Sequence, residues 1–199
     1  MIKREDILTR LDPVTRGSLK HVRGRDRPLV ASVLLIIHYG YGLPRILFTK
    51  RSCGLKSHAG EVCFPGGTFV KEDRELYYTA LRETNEEVGL AFTEKDICGS
   101  LEPVRTITSN FIITPYVTVQ DKIPKPRILS DEVQCILDVP LIGLLKTVAS
   151  DKLHDYISTK NRFIFKYRRE VIWGATASIV KQLYDRLFLK SYGAKFEKV

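Results

Sequence analysis

The distribution of apolar residues along the chain predicts a series of strands. Residues 29–38 are rich in Val and Ile and show no polar alternation, which indicates a strand buried on both faces. A turn containing two glycines separates them from residues 45–50, which we interpret as the hairpin partner. Residues 61–64 predict a short strand that stops at Pro65-Gly66-Gly67, and further strands are predicted at residues 97–104, 111–119, 132–138 and 161–167.

Apolar residues at helical spacing predict two main helices. The first spans residues 72–88 and ends at Gly89, which supplies a left-handed stop. The second spans residues 173–189 and closes the chain, and shorter helices are predicted at residues 140–148 and near the start of residues 1–27. Strands flanked by helices favour an α/β (α+β) fold, in which a mixed central sheet is sandwiched between helical layers.

Composition narrows the class of protein only moderately. The chain has 199 residues, of which 44% are apolar and 28% are charged, and 32 Lys plus Arg against 23 Asp plus Glu give a net charge of +9. These values are typical of a globular protein, and the charge favours an anionic partner without separating nucleic acid, a membrane surface and a phosphorylated metabolite. Without repeats or linkers, we expect residues 1–199 to form a single domain.

Several cellular roles are disfavoured by what the sequence lacks. The longest apolar run, residues 33–37, has the length of a strand, residues 1–27 contain no apolar signal core, and the last residues are not a peroxisomal tripeptide. The four cysteines form no C-x-x-C pair, which argues against a zinc cluster. We therefore expect a cytoplasmic protein with reduced thiols and no membrane partner.

The candidate chemistry lies in the second half of the first main helix. Glu83, Glu86 and Glu87 fall within an arc of roughly 100° beside the apolar stripe. Like charges so close destabilise an isolated helix, unless a divalent cation sits among them. Oxygen ligands without His or Cys suit Mg²⁺ or Mn²⁺, and the preceding Gly66-Gly67 allows the backbone to approach a metal or a phosphate. The alternative is a solvated acidic face.

These residues resemble the Nudix hydrolases, whose box runs G-x5-E-x7-R-E-U-x-E-E-x-G-U, where U is aliphatic. In residues 66–90, the positions that match are Gly67, Arg82, Glu83, Glu86, Glu87, Gly89 and Leu90. Thr84 departs from the aliphatic position, and the first acid of the box is Asp73, one residue earlier than the family's glutamate. That offset is similar to the coenzyme A diphosphatases. We interpret Asp73 as an acid in the first turn of the helix, which stabilises the helix dipole, rather than as a metal ligand.

The segment before the box resembles a second signature of the same subfamily, L-L-T-x-R-[SA]-x3-R-x3-G-x3-F-P-G-G. Arg51 and Ser52 match it, as do Gly60 and residues 64–67. Phe48 replaces a leucine, and Lys56 replaces an arginine, which keeps the charge but loses the bidentate fork.

The resemblance implies hydrolysis of the diphosphate of coenzyme A or its thioesters, which yields 3′,5′-ADP and 4′-phosphopantetheine or its acyl form. The implied ligands of Mg²⁺ or Mn²⁺ are the carboxylates of Glu83, Glu86 and Glu87 and the Gly67 carbonyl. Arg82 is implied to orient a carboxylate, and Glu83, Glu87 or Glu132 to act as the general base, although Asp131-Glu132 also fits a simple cap. The implied substrate-binding residues are Arg51, Lys56 and Gly66, with a solvated basic loop as the alternative.

Two other functions remain open from the sequence. The enzyme could act on ADP-ribose, NADH or another nucleoside diphosphate derivative, or the chain could be a non-catalytic module that binds nucleotide or RNA. The three glutamates favour an enzyme with a small-molecule substrate over a stable nucleic-acid partner, and a homodimer is left open. Phe111 and Tyr116 lie in predicted strands, so we expect them in the core rather than stacked on a base.

Overall fold

The computed structural model describes residues 2–14, 28–40, 42–107, 109–151 and 163–189. Its helices are α1 (Arg4–Leu8), α2 (Leu76–Val88), α3 (Leu141–Leu145) and α4 (Gly174–Phe188). Its strands are β1 (Leu29–His38), β2 (Arg45–Arg51), β3 (Val62–Cys63), β4 (Gly66–Thr68), β5 (Ile97–Ser100), β6 (Val104–Arg105), β7 (Phe111–Gln120), β8 (Val133–Pro140), β9 (Ala149–Ser150), β10 (Phe163–Tyr167) and β11 (Glu170–Ile172). None of the helices in these ranges is both long and apolar enough to cross a bilayer.

The main sheet is mixed, as predicted, and β1 lies at its centre. β1 pairs in parallel with β7 over its whole length, from Leu29 opposite Phe111 to His38 opposite Gln120. On its other side β1 pairs antiparallel with β2, which in turn carries β3 and β8. β5 and β6 extend the sheet beyond β7, and a smaller antiparallel sheet contains β9, β10 and β11.

The two faces of the main sheet are covered by different helices. Successive residues of β1 point to opposite faces, so Leu34 and Ile36 pack with the apolar side of α2, whereas Leu35 and Ile37 pack with the core that includes α4. All four of these side chains are fully buried, and each stabilises the fold by about 1.5–3 kcal/mol. The structure thus confirms the predicted sandwich and the strand buried on both faces.

The first main helix begins later than predicted. Residues Lys71–Asp73 form a 3₁₀ turn, Arg74 has a positive φ of 59°, and α2 starts only at Leu76. The Asp73 carboxylate accepts a hydrogen bond from the Val70 amide, and this local contact competes with continuous helix. The interpretation of Asp73 as a first-turn acid of the helix is therefore wrong.

Two predicted strands also differ from the structure. The strand predicted at residues 97–104 is divided into β5 and β6, because Pro103 offers no amide proton and the Glu102 amide donates to the side chain of Gln182. Gly66 and Gly67, predicted to end a strand together with Pro65, instead belong to β4, which pairs with β1. The other predicted strands and helices lie within a few residues of their predicted bounds, whereas β9 and β11 were not predicted. Residues 15–27, which include most of the predicted basic lead-in, and residues 161 and 162 lie outside the described ranges, and the single domain stays a prediction.

Candidate active site

Two consecutive glycines allow β4 to lie directly between β1 and α2. A Cβ at Gly66, whose φ is 154°, would lie 2.3 Å from the Ser32 carbonyl oxygen, and a Cβ at Gly67 would lie 2.5 Å from the carboxyl carbon of Glu83. Both distances are shorter than a carbon atom tolerates. At Gly66 the neighbour is backbone, so only glycine fits there, whereas a side chain at Gly67 would push the Glu83 carboxylate away. The backbone of Gly67 therefore lies against the Glu83 carboxylate, and the role of both residues as ligands of one ion stays a prediction.

Arg82 is held by a buried acid that precedes α2. Its Nε and Nη2 donate to the two carboxylate oxygens of Asp73 at 2.8 and 3.0 Å, and Thr79 Oγ1 donates to the same carboxylate at 2.7 Å. The Arg82 guanidinium holds the pKa of Asp73 below its usual value. This bidentate contact leaves Nη1 of Arg82 for other partners.

The free end of Arg82 contacts two of the predicted metal ligands. Its Nη1 donates to Glu83 Oε1 at 2.9 Å and to Glu86 Oε2 at 3.0 Å. The Glu86 side chain is 55% exposed, whereas Glu83 lies deeper, and burial raises the pKa of Glu83. Arg82 thus connects the Glu83 and Glu86 carboxylates, and its role in orienting metal ligands stays a prediction.

Glu87 is the most buried acid of the three. It is only 6% exposed, and its Oε2 has no hydrogen-bond partner among the described residues. Burial raises its pKa to about 8, and the nearby charge of Glu83 acts in the same direction, while a backbone hydrogen bond from Gly66 and the charge of Arg51 oppose the rise. A buried carboxylate oxygen without a donor is costly, and a cation would satisfy it.

The donor set around Glu83 and Glu87 fits a hard divalent cation. The donors are carboxylate oxygens with the backbone of Gly67 beside them, and burial raises the pKa of the nearby Cys63 thiol to about 11, which keeps it protonated and a poor ligand. In the part of the chain that the structure describes, no three His, Cys, Asp or Glu side chains are gathered tightly enough to form a metal site. The Glu86 carboxylate is hydrogen-bonded to Arg82, so it would have to leave that contact to act as the predicted metal ligand.

Arg51 is the last residue of β2, and Glu132 immediately precedes β8. Arg51 Nη2 donates to Glu132 Oε2 at 3.1 Å. The charges of both residues act on the Glu87 carboxyl group in opposite directions, which brings both into the electrostatic environment of the site. Lys56 is exposed in the loop between β2 and β3 and makes no ion pair with the described residues, so the structure does not bring it to the carboxylates.

A contact that sequence reasoning missed connects this edge to α2. The amides of Arg127 and Leu129 donate to the carbonyls of Val88 and Glu87 at 2.9 and 3.0 Å, so the segment before Glu132 is bound to the end of the helix. The sequence offered Gly89 only as the end of α2 and gave no signal for this contact; in the structure, a side chain at Gly89 would crowd Leu129.

Of the two aromatic residues expected in the core, only Tyr116 lies there. Tyr116 is fully buried and packs edge-to-face with Tyr77 at 6.1 Å, and Phe111 is half-buried at the start of β7. Tyr116 is therefore a core residue.

The family is decided by comparison with known proteins. The NUDIX domain model matches residues 28–153, which is more than half of the chain. The chain belongs to the Nudix hydrolase family. Members generally use divalent metal ions and act on small-molecule substrates.

Relatives within this family align over most of the chain. An uncharacterized Nudix hydrolase, NudL of Pectobacterium atrosepticum, is 33% identical over 181 residues, which is 89% of this chain and 91% of NudL. The mitochondrial coenzyme A diphosphatase NUDT8 of Homo sapiens is 35% identical over 164 residues, which is 80% of this chain and 70% of NUDT8.

Solved structures agree with the fold. A MutT/nudix family protein from Enterococcus faecalis superposes with a TM-score of 0.60 at 11% identity, covering 94% of this chain and 74% of that one. A Nudix hydrolase from Alicyclobacillus acidocaldarius gives 0.57 at 17% identity, covering 81% and 93%. At such identities the likeness concerns the fold alone.

Proposed function

We propose that this Nudix hydrolase is a Mg²⁺- or Mn²⁺-dependent coenzyme A diphosphatase that yields 3′,5′-ADP and 4′-phosphopantetheine, or its acyl form from thioesters. The observation that carries this proposal is the similarity to a human coenzyme A diphosphatase over 80% of the chain. The match of residues 47–67 to the subfamily signature supports the same substrate.

Glu83, Glu87 and the Gly67 carbonyl would hold the divalent cation, and Glu86 would join them after leaving Arg82. The cation, when bound, neutralises the charge that develops on the diphosphate and makes the attacking water more acidic. Because Gly67 has no side chain, the Glu83 carboxylate can lie against β4, beside the carbonyl that would also bind the cation. Arg82, fixed by Asp73, holds Glu83 and Glu86 at the edge of the site.

Cationic and backbone groups on the facing side would bind the substrate. Arg51 lies beside the acidic cluster and would donate to a phosphate oxygen, with the Gly66 backbone close by. Lys56, exposed on the adjoining loop, would meet a more distant phosphate such as the 3′-phosphate of coenzyme A. The proton of the attacking water would pass to Glu83 or Glu87 within the cluster, or to Glu132 beside Arg51.

A substrate panel tests the proposal. Purified protein is incubated with coenzyme A, acetyl coenzyme A, ADP-ribose and NADH, each with Mg²⁺ and with Mn²⁺, and the products are identified by mass spectrometry. We expect the coenzyme A compounds to be cleaved with the highest kcat/KM. Faster cleavage of ADP-ribose or NADH would contradict coenzyme A as the substrate but would leave the proposed diphosphate hydrolysis in place. Binding of nucleotides or RNA without turnover of any diphosphate would instead indicate a non-catalytic module.

A further inference from the structure

We propose that Glu132 is a positioning residue for Arg51. Its carboxylate holds the guanidinium in place to receive a phosphate group of the substrate, and it does not accept the proton of the attacking water. This inference rests on the proposed function, because it assigns the division of labour between two residues at that site. It leaves proton acceptance to the carboxylates of α2.

The contact between the two side chains is an ion pair with unequal exposure. Arg51 Nη2 lies 3.1 Å from Glu132 Oε2, and the Arg51 side chain is 24% exposed while that of Glu132 is 56% exposed. Glu132 therefore contacts the guanidinium from the solvent side. A long, flexible arginine held this way loses less conformational freedom when it binds an anion than an unrestrained one.

The backbone beside this ion pair is held by an irregular strand pairing and by two hydrogen bonds from Ser52. The pairing of β2 with β8 shifts register at this point, since Lys50 lies opposite Cys135 but Arg51 lies opposite Val133. Ser52 makes two hydrogen bonds to the backbone at Glu132. Its amide donates to the Glu132 carbonyl at 2.8 Å, and its hydroxyl donates to the Asp131 carbonyl at 2.6 Å. Irregularities of this kind are common beside active sites, where they redirect a side chain.

After pairing with Glu132, the Arg51 guanidinium still has a hydrogen-bond donor without an acceptor among the described residues. Its Nε is buried and has no acceptor among the described residues. The charge of Arg51 acts on the buried carboxyl group of Glu87, so the guanidinium lies within electrostatic range of this predicted metal ligand while it pairs with Glu132. A phosphate oxygen bound between Glu87 and Arg51 would supply the missing acceptor and would lie next to the attacked bond.

A double-mutant cycle tests this assignment. Kinetics with coenzyme A are measured for wild type, Glu132→Gln, Arg51→Ala and the double variant. We expect Glu132→Gln to raise KM about tenfold with kcat within about twofold, Arg51→Ala to raise KM further, and the double variant to equal Arg51→Ala. If Glu132→Gln lowers kcat equally with and without Arg51, Glu132 acts independently and the inference is overturned. It is also overturned if Glu132→Gln leaves KM unchanged.

A neighbouring ion pair provides the matched control. Lys50 precedes Arg51 on β2 and pairs with Glu170 at 2.9 Å, so Glu170→Gln removes the same kind of contact one residue away. We expect its kinetics to be unchanged, and Glu132→Asp to recover part of the affinity lost in Glu132→Gln.

A binding measurement separates this inference from the proposed function. Calorimetric titration of each variant with 3′,5′-ADP in the absence of metal should show the same coupling between Arg51 and Glu132 as KM does. If wild type turns over coenzyme A but the two substitutions are additive, only the positioning role is wrong. If wild type neither hydrolyses coenzyme A nor binds 3′,5′-ADP, both proposals are wrong.

Discussion

Arg82 donates hydrogen bonds to both oxygens of the buried Asp73 carboxylate, and its remaining nitrogen reaches Glu83 and Glu86. Asp73 lies in the 3₁₀ turn before α2, whereas the glutamates lie in the second half of the helix. The guanidinium therefore connects the start of the box to its carboxylates. Because Asp73 makes the bidentate contact, it determines where Arg82 can place the other two acids.

We expect Asp73→Asn to weaken both stability and turnover. The amide cannot accept both guanidinium hydrogen bonds, and Arg82 is partly exposed, so the free energy of unfolding should fall by about 2–3 kcal/mol near neutral pH. Loss of a residue that orients ligands typically lowers activity about tenfold or more. Urea unfolding and steady-state kinetics measure the two effects. Asp185→Asn on α4, which breaks a partly exposed pair with Lys181, is the control and should cost less than about 1 kcal/mol.

The stability effect of Asp73→Asn should depend on pH in a defined direction. The folded pKa of Asp73 lies below its unfolded value of 3.8, so its stabilising contribution is present above that value and is lost as the pH falls. The difference between wild type and variant should therefore shrink in acid. An equal difference in acid and at neutral pH would contradict the ion pair.

Gly67→Ala should displace Glu83 without unfolding the protein. The added Cβ would lie 2.5 Å from the carboxyl carbon, so the Glu83 side chain must move away from the backbone of β4. We expect kcat/KM to fall about 100-fold, because a small misplacement of a group that positions the reaction has a large effect on the rate.

A second glycine gives the control for this change. Gly143 lies in α3, and a Cβ there would meet only Pro140 at an ordinary 3.7 Å, so Gly143→Ala should keep full activity. Full activity in Gly67→Ala as well would show that the Glu83 carboxylate does not need its place against β4.

Glu87→Gln should make the metal-free protein more stable in alkaline solution. The folded pKa of Glu87 is raised to about 8 from an unfolded value of 4.5, so the fold favours the protonated form. That contribution is complete below 4.5 and is lost as the pH rises through 8, where the buried carboxylate becomes charged. The neutral amide avoids this loss, and we expect a Tm about 5 °C above wild type in alkaline solution but equal in acid. Thermal unfolding of the metal-free proteins measures the two Tm values, and we expect Glu87→Gln to lose turnover when metal is present. A lower alkaline Tm for the variant would contradict the burial of a charged Glu87.

Glu86→Gln separates the predicted ligand role from the observed contact with Arg82. Glu86 is exposed, so the substitution should change the unfolding free energy by less than about 0.5 kcal/mol. If Glu86 joins Glu83 and Glu87 when the cation binds, the affinity for Mn²⁺ should fall about tenfold, as measured by electron paramagnetic resonance titration. Wild-type affinity in the variant would leave Glu86 as a surface partner of Arg82 only.

The architecture followed from the sequence because its strongest signals are continuous and local. The uninterrupted apolar run of β1 required burial on both faces, and the structure covers it with α2 on one side and α4 on the other. The apolar stripe and Gly89 likewise located the end of α2. The start of α2 was missed because the Val70 amide donates a hydrogen bond to the Asp73 carboxylate, which favours a 3₁₀ turn there, and hydrophobic periodicity does not carry that information.

The site was predictable only in part. Helical spacing placed Glu83, Glu86 and Glu87 near one another, but it could not show that Arg82 holds Glu86 while Glu87 is buried without a partner for one oxygen. The pairing of Arg51 with Glu132 joins positions 81 residues apart and depends on the register of β2 and β8. Contacts of that range follow from the fold rather than from spacing along the chain.

The most direct test of the whole account is the rate at which coenzyme A releases 3′,5′-ADP, measured by mass spectrometry with Mg²⁺ for wild type and for the double variant Glu83→Gln/Glu87→Gln. We predict stoichiometric 3′,5′-ADP and 4′-phosphopantetheine from wild type, none after chelation of the metal, and a rate at least about 1,000-fold lower for the double variant. Release at an undiminished rate from the double variant would contradict the assignment of this acidic cluster as the active site.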